Sequence, residues 1–222
     1  MTTKGDKNQE YLYHLLKDDS TYRKEKRIAN YMNTAGFPKL YSRNQFHTDE
    51  IDFPDGVSFD SLLNLDFLND GKNVLMYGGT VTGKTMLSIL IGMEACRQSI
   101  PVKFYRTSGI ISLLTEGLRN GTLPELKNML NTAQILILDG FGYISYDRTC
   151  VQLLFDYLSE IHKKKPVILN TNLEFSQWVN VLYDQSMTTA LISCLTHHVE
   201  LILFPGGNNR LRESSINESF IM

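Results

Sequence analysis

Several things are scarce in this 222-residue chain, and each scarcity removes a class of protein. There are three cysteines (Cys96, Cys150 and Cys194), an odd, widely spaced set without a CxxC pair, which argues against a disulfide scaffold and suits a reducing compartment. Histidine and cysteine nowhere take zinc-ligand spacing: His197-His198 is a bare pair, and His14, His47 and His162 lie elsewhere. No apolar run approaches the roughly 20 residues that span a bilayer, and the first ten residues are polar, so the chain reads as soluble and cytoplasmic with no membrane partner. Charge of one sign is missing too. With 22 basic and 24 acidic side chains the formal charge is −2, so any nucleic-acid contact must come from a local patch rather than a global field. Internal repeats and low-complexity tracts are absent.

What is present centres on Gly78-Gly79-Thr80-Val81-Thr82-Gly83-Lys84-Thr85, a G-x-x-x-x-G-K-[ST] phosphate loop. An apolar run at 73–77 leads in like a buried strand, and residues 84–97, opening through Met86-Leu87-Ser88-Ile89, lead out as a helix. That order suits the chemistry. Backbone N–H groups of the loop and the positive end of the helix dipole face a phosphate, Lys84 reaches the β/γ-phosphates, and the Thr85 hydroxyl can ligate Mg²⁺. Asp139 ends a second aliphatic run, 134–139, where a carboxylate would hold Mg²⁺ through its waters. Asn172 follows a third run at the end of Leu169-Asn170-Thr171-Asn172, either as a turn residue or as an amide that orients a water beside the γ-phosphate. Arg210 and Arg212 offer guanidiniums for phosphate oxygens or for surface solubility.

Strands at 73–77, 102–105, 134–139, 166–169 and 200–204 alternate with helices, among them 84–97, one capped by Thr107 or Ser108 and running to about 119, and one over 149–163. Continuous aliphatic strands between helices predict an α/β fold with a parallel sheet covered on both faces. Residues 1–43 differ, with Tyr11, Leu15, Leu16, Ile28 and Met32 at roughly helical spacing among Lys17, Arg23, Lys24, Lys26, Arg27, Lys39 and Arg43. This is either a solvated helical face or a patch for phosphate backbones or a partner. Phe37-Pro38 and residues 47–56 read as linker and turn chemistry, which divides the chain into 1–55 and 56–222. Lys163-Lys164-Lys165 reads as a helix C-terminus or a DNA contact, and Trp178 as a packing anchor or a subunit contact.

Four ordered motifs (residues 73–85, 135–144, 169–178 and 191–212) cover nearly the whole chain, and through them it resembles the IstB-like ATP-binding proteins. These are transposition helper ATPases related to the DnaC helicase loaders within the AAA+ class. The resemblance implies an AAA+ P-loop core with strand order 5-1-4-3-2 and a short helical N-terminal extension. It implies ATP and Mg²⁺, homo-oligomers assembled on double-stranded DNA, and a transposase of the same mobile element as partner. It makes Gly78 to Met86 the nucleotide loop, Thr85 and Asp139 the metal residues, Asn172 a sensor 1 position and Arg210 a sensor 2 arginine.

Three positions depart from the family's pattern. Val81 replaces a glycine, and a β-branched residue at positive φ costs on the order of 1–2 kcal/mol. Gly140 replaces a catalytic glutamate, a general base contributing about 10²–10⁴ in rate. Cys194 replaces an arginine of the kind whose transition-state charge contributes roughly 10³–10⁵. Groups acting on the transition state affect turnover more than affinity, so the sequence predicts nucleotide binding with very slow hydrolysis. It leaves two other readings open: a degenerate copy acting only as an interaction protein, and a loader of a replicative helicase.

Overall fold

The computed structural model describes residues 4–142, 147–182 and 184–205. Helix α1 (Lys4–Thr34) precedes short α2 (Phe59–Leu63), and the alternating part follows. In chain order its elements are β1 (Asn73–Gly78), α3 (Lys84–Arg97), β2 (Val102–Arg106), α4 (Thr107–Arg119), α5 (Leu123–Asn131) and β3 (Ile135–Phe141). Then come α6 (Arg148–Ile161), β4 (Val167–Thr171), α7 (Trp178–Leu182), α8 (Gln185–Thr196) and β5 (Val199–Phe204). The five strands pair in parallel in the order β2-β3-β4-β1-β5, which is the expected order met from the opposite edge.

The aliphatic runs are continuous because both faces of the sheet are covered. Val74, Met76, Ile137, Ile168 and Ile202 pack with α3 residues such as Leu87 and Ile91, whereas Leu75, Leu136, Leu138 and Leu169 pack against α4, α6 and α8 through Ile110, Leu114, Leu154, Leu158 and Leu191. Alternate residues of one strand thus serve two cores.

Helix α1 follows its sequence pattern only at one end. Tyr31 and Met32 pack on the α3 side of the sheet, while Tyr11, Leu15 and Leu16 are exposed. Beyond it, the segment expected as linker is held down by its aromatics. Phe37 meets Phe104 edge-on, Phe46 stacks on Phe59 at 5.2 Å, and Tyr41, Ile51 and Phe53 join the same core. Ala35 carbonyl accepts from Phe104 N–H at 2.7 Å, and Asp52 bridges to Leu203 on the edge strand β5.

Several boundaries differ from expectation. Helix α4 begins at Thr107, but its cap residue is Arg106, without a side-chain bond, and the Thr107 hydroxyl instead donates to the Asp139 carbonyl at 3.2 Å. Asp147 caps α6 by accepting from Cys150 N–H, and that helix stops at Ile161, before the three lysines. Lys165 reaches a different helix end, donating to the Leu130 carbonyl at 2.9 Å at the close of α5, with burial pulling its amine down to about 8. Trp178 is fully buried, 4.4 Å from the Phe141 ring, with its indole N–H on the Leu173 carbonyl, so it is a packing anchor.

Candidate functional site

The phosphate loop joins β1 to α3 at the carboxyl ends of the strands, beside the tips of β3, β4 and β5. Its glycines answer to specific neighbours. A Cβ at Gly78 would lie 2.7 Å from Phe204 Cβ on β5, and one at Gly83, where φ is +107°, would lie 3.3 Å from the Phe46 ring. Val81 stands at φ +63°, so the loop does require the left-handed conformation at this β-branched position. Gly83 caps α3 and supplies no side-chain acceptor, which leaves the first-turn N–H groups to an anion.

Lys84 is buried and turned back on its own loop. Its ammonium donates to the Gly78 carbonyl at 2.8 Å, to the Gly79 carbonyl, and to Thr82 Oγ1 at 3.2 Å. Burial lowers its pKa to about 8, partly opposed by the charge of Asp139. Thr85 begins the next step, its hydroxyl donating to Asp139 Oδ1 at 2.7 Å. That hydrogen is committed to the carboxylate, so the lone pairs of the hydroxyl oxygen stay open to a cation.

Asp139 sits near the end of β3, one residue before Gly140 at φ +77°, where pairing with β4 is irregular between Leu138 and Phe141. Its Oδ1 also accepts from Asn170 Nδ2 at 2.8 Å. Sequence reasoning missed Asn170 and its partner Ser88, both buried. The signal is a polar residue in the next-to-last place of a strand that opens on three aliphatic ones, and only the placing of β4 between β3 and β1 gives it meaning. Asn172 lies just past β4, with its side-chain oxygen buried and without a hydrogen-bond partner. Such an orphan is the kind of group a bound water or ligand satisfies.

The structure therefore brings Lys84, Thr85 and Asp139 together and keeps Asn172 at the neighbouring strand tip. Thr80 is exposed on the loop, and Met86 is partly buried against the α3 core. Cys194 is half-buried on α8 near the Leu158 carbonyl, where burial pushes its thiol pKa up. Arg210 and the Asn208-to-Arg212 segment lie outside the described residues, as do Tyr143 and Ile144 of the second motif. A hydroxyl and a carboxylate are hard oxygen donors that suit Mg²⁺, and a glycine-walled loop under uncapped helix amides suits phosphate, so the residues present fit both groups.

Sheet order, loop and metal-type pair define a P-loop protein of AAA+ fold. The pattern of the IstB-like ATP binding protein family matches residues 3–217, and the chain belongs to that family. It is 28% identical over 209 residues to the protein named for ATP binding in insertion sequence IS5376 of Geobacillus stearothermophilus, covering 94% of this chain and 83% of that one. Among solved structures, DnaI superposes with a TM-score of 0.60 at 14% identity, over 73% of this chain and 89% of that one. AMPPCP-bound DnaA from Aquifex aeolicus superposes with a TM-score of 0.57 at 21% identity, over 71% of this chain and 49% of that one. Among the described residues no helix is long and apolar enough to cross a membrane.

Proposed function

We propose that this chain is the ATP- and Mg²⁺-binding helper of an insertion sequence, a cytoplasmic protein that assembles with copies of itself on double-stranded DNA and assists the element's transposase. The observation that carries the reading is the Thr85–Asp139 pair set directly behind a phosphate loop whose lysine is already buried in it. The 56–222 part would hold the nucleotide, and residues 1–55, with the mixed-charge exposed helix α1, would meet the partner or the DNA.

Each residue has a task in that reading. The loop from Gly78 to Thr85 offers N–H groups to phosphate oxygens. Lys84 exchanges three neutral acceptors for phosphate oxygens, and charge-assisted bonds are roughly twice as strong as neutral ones. Thr85 and Asp139 would hold Mg²⁺, which when bound neutralises charge between the terminal phosphates. Asn172 and, less directly, Arg210 would sense the γ-phosphate. No carboxylate follows Asp139, and Cys194 cannot supply a guanidinium's charge, so bound ATP acts chiefly as an assembly ligand and is turned over very slowly.

The same departures favour a second reading, a copy that keeps fold and interaction surfaces without cycling. Size-exclusion chromatography with light scattering, on duplex DNA with and without Mg·ATP, separates the two. ATP-dependent oligomers on DNA, with capture of the element's transposase, support the helper. A monomer indifferent to nucleotide supports the remnant, and capture of a replicative helicase instead would make the chain a loader.

A further inference from the structure

We infer that Asn170 and Ser88 are positioning residues that hold Asp139 in its cation-facing orientation, an inference that rests on the reading of Thr85 and Asp139 as magnesium residues. Asn170 lies on the central strand β4 with 1% of its surface exposed, and Ser88 on α3 with none. A buried amide among aliphatic strand residues costs several kcal/mol unless its hydrogen bonds are made, and an aliphatic side chain would fill the same place without that cost. Here the bonds are made, and they lead to the site.

Asp139 as a carboxylate can only accept, which fixes the amide orientation: Nδ2 faces Asp139 Oδ1 at 2.8 Å. The second amide hydrogen goes to Ser88 Oγ at 2.7 Å, and the single Ser88 hydroxyl hydrogen is shared between the Lys84 carbonyl at 2.8 Å and Asn170 Oδ1 at 2.9 Å. Thr85, next to Lys84, donates to the same Asp139 oxygen at 2.7 Å. The bonds form a closed circuit. It leaves the first turn of α3 at Lys84, passes through Ser88, Asn170 and Asp139, and returns to α3 at Thr85. Both hydrogens arrive on Oδ1, which leaves Oδ2 for the hydration shell of an ion. Neither Asn170 nor Ser88 touches that ion; they act by fixing the carboxylate that does, and outer-shell partners of this kind typically change metal affinity about 10–100-fold.

The test is calorimetric titration of ATP into the full chain, first in EDTA and then across a series of Mg²⁺ concentrations. Asn170→Ala is expected to raise the Mg²⁺ concentration needed for half the gain in ATP affinity by about 10–100-fold, while affinity in EDTA stays within about twofold. Ser88→Ala, which keeps the Asn170–Asp139 bond but frees its anchor, is expected to move the same midpoint in the same direction by less, and it carries the test if Asn170→Ala does not fold. A wild-type midpoint in the variants, or a loss equally large in EDTA, overturns the inference. Wild-type protein that binds ATP without responding to Mg²⁺ overturns it while nucleotide binding stands, and wild-type protein that binds no ATP overturns both.

Discussion

Replacing Val81 by glycine tests what the loop costs to hold. At φ +63° a β-branched side chain is strained by about 1–2 kcal/mol relative to a residue that visits the left-handed region freely. Glycine removes that strain but gives the unfolded chain more freedom, worth about 0.4–1 kcal/mol in the opposite direction. The net expectation is a gain of about 0.5–1 kcal/mol, or about 1–4 °C in Tm for a chain of this size. The strain belongs to the backbone at this position. A loop that keeps this conformation with and without nucleotide shows the gain in both states, and ATP affinity should change little. Urea unfolding of Val81→Gly and wild type, each in the presence and absence of saturating Mg·ATP, measures both terms. A gain confined to the nucleotide-bound pair would show that the loop takes up this conformation only on binding. A loss of stability would show that the valine side chain contributes packing that outweighs its backbone cost.

Two more expectations follow from the same geometry. Gly140→Glu places a side chain at φ +77°, so it should cost about 1–2 kcal/mol of stability and leave phosphate release no faster than in the wild type; brisk turnover in this variant would show that the bulge reshapes around a carboxylate. Lys84 has its pKa lowered from 10.5 to about 8 by burial, so between those values the unfolded chain binds more protons than the folded one, and stability should rise as pH passes from about 8 to 10.5. Bound phosphate needs the protonated form, so ATP affinity should fall as pH rises above about 8; calorimetry across pH 7 to 10 checks this, and Lys84→Met should abolish both effects.

The sequence made local features legible and left non-local ones hidden. The phosphate loop, helix α3 and the carboxylate at Asp139 each depend on contiguous residues, and each lies where its pattern placed it. The strand order came from resemblance, because periodicity within one strand carries no information about its neighbour. Asn170 illustrates the gap: two residues before Asn172 in sequence it reads as strand-end polarity, and its bond to Asp139 exists only because β3 and β4 are adjacent. By sequence Lys165 belongs to the end of its own helix, yet it closes α5, which the chain left more than thirty residues earlier. Phe37 and Phe53 of the expected linker, and Phe46 beside it, are legible as residues but not as anchors, since irregular spacing gives no face to predict.

In the proposed function a polyphosphate sits at the amino end of α3, held by Lys84. Thermal unfolding of the full chain with Mg·ATP, compared with the Lys84→Ala variant and paired with phosphate release, measures this directly. The expected result is nucleotide protection of the wild type, none of the variant, and negligible phosphate release from either. Equal melting curves for wild type with and without nucleotide would contradict it.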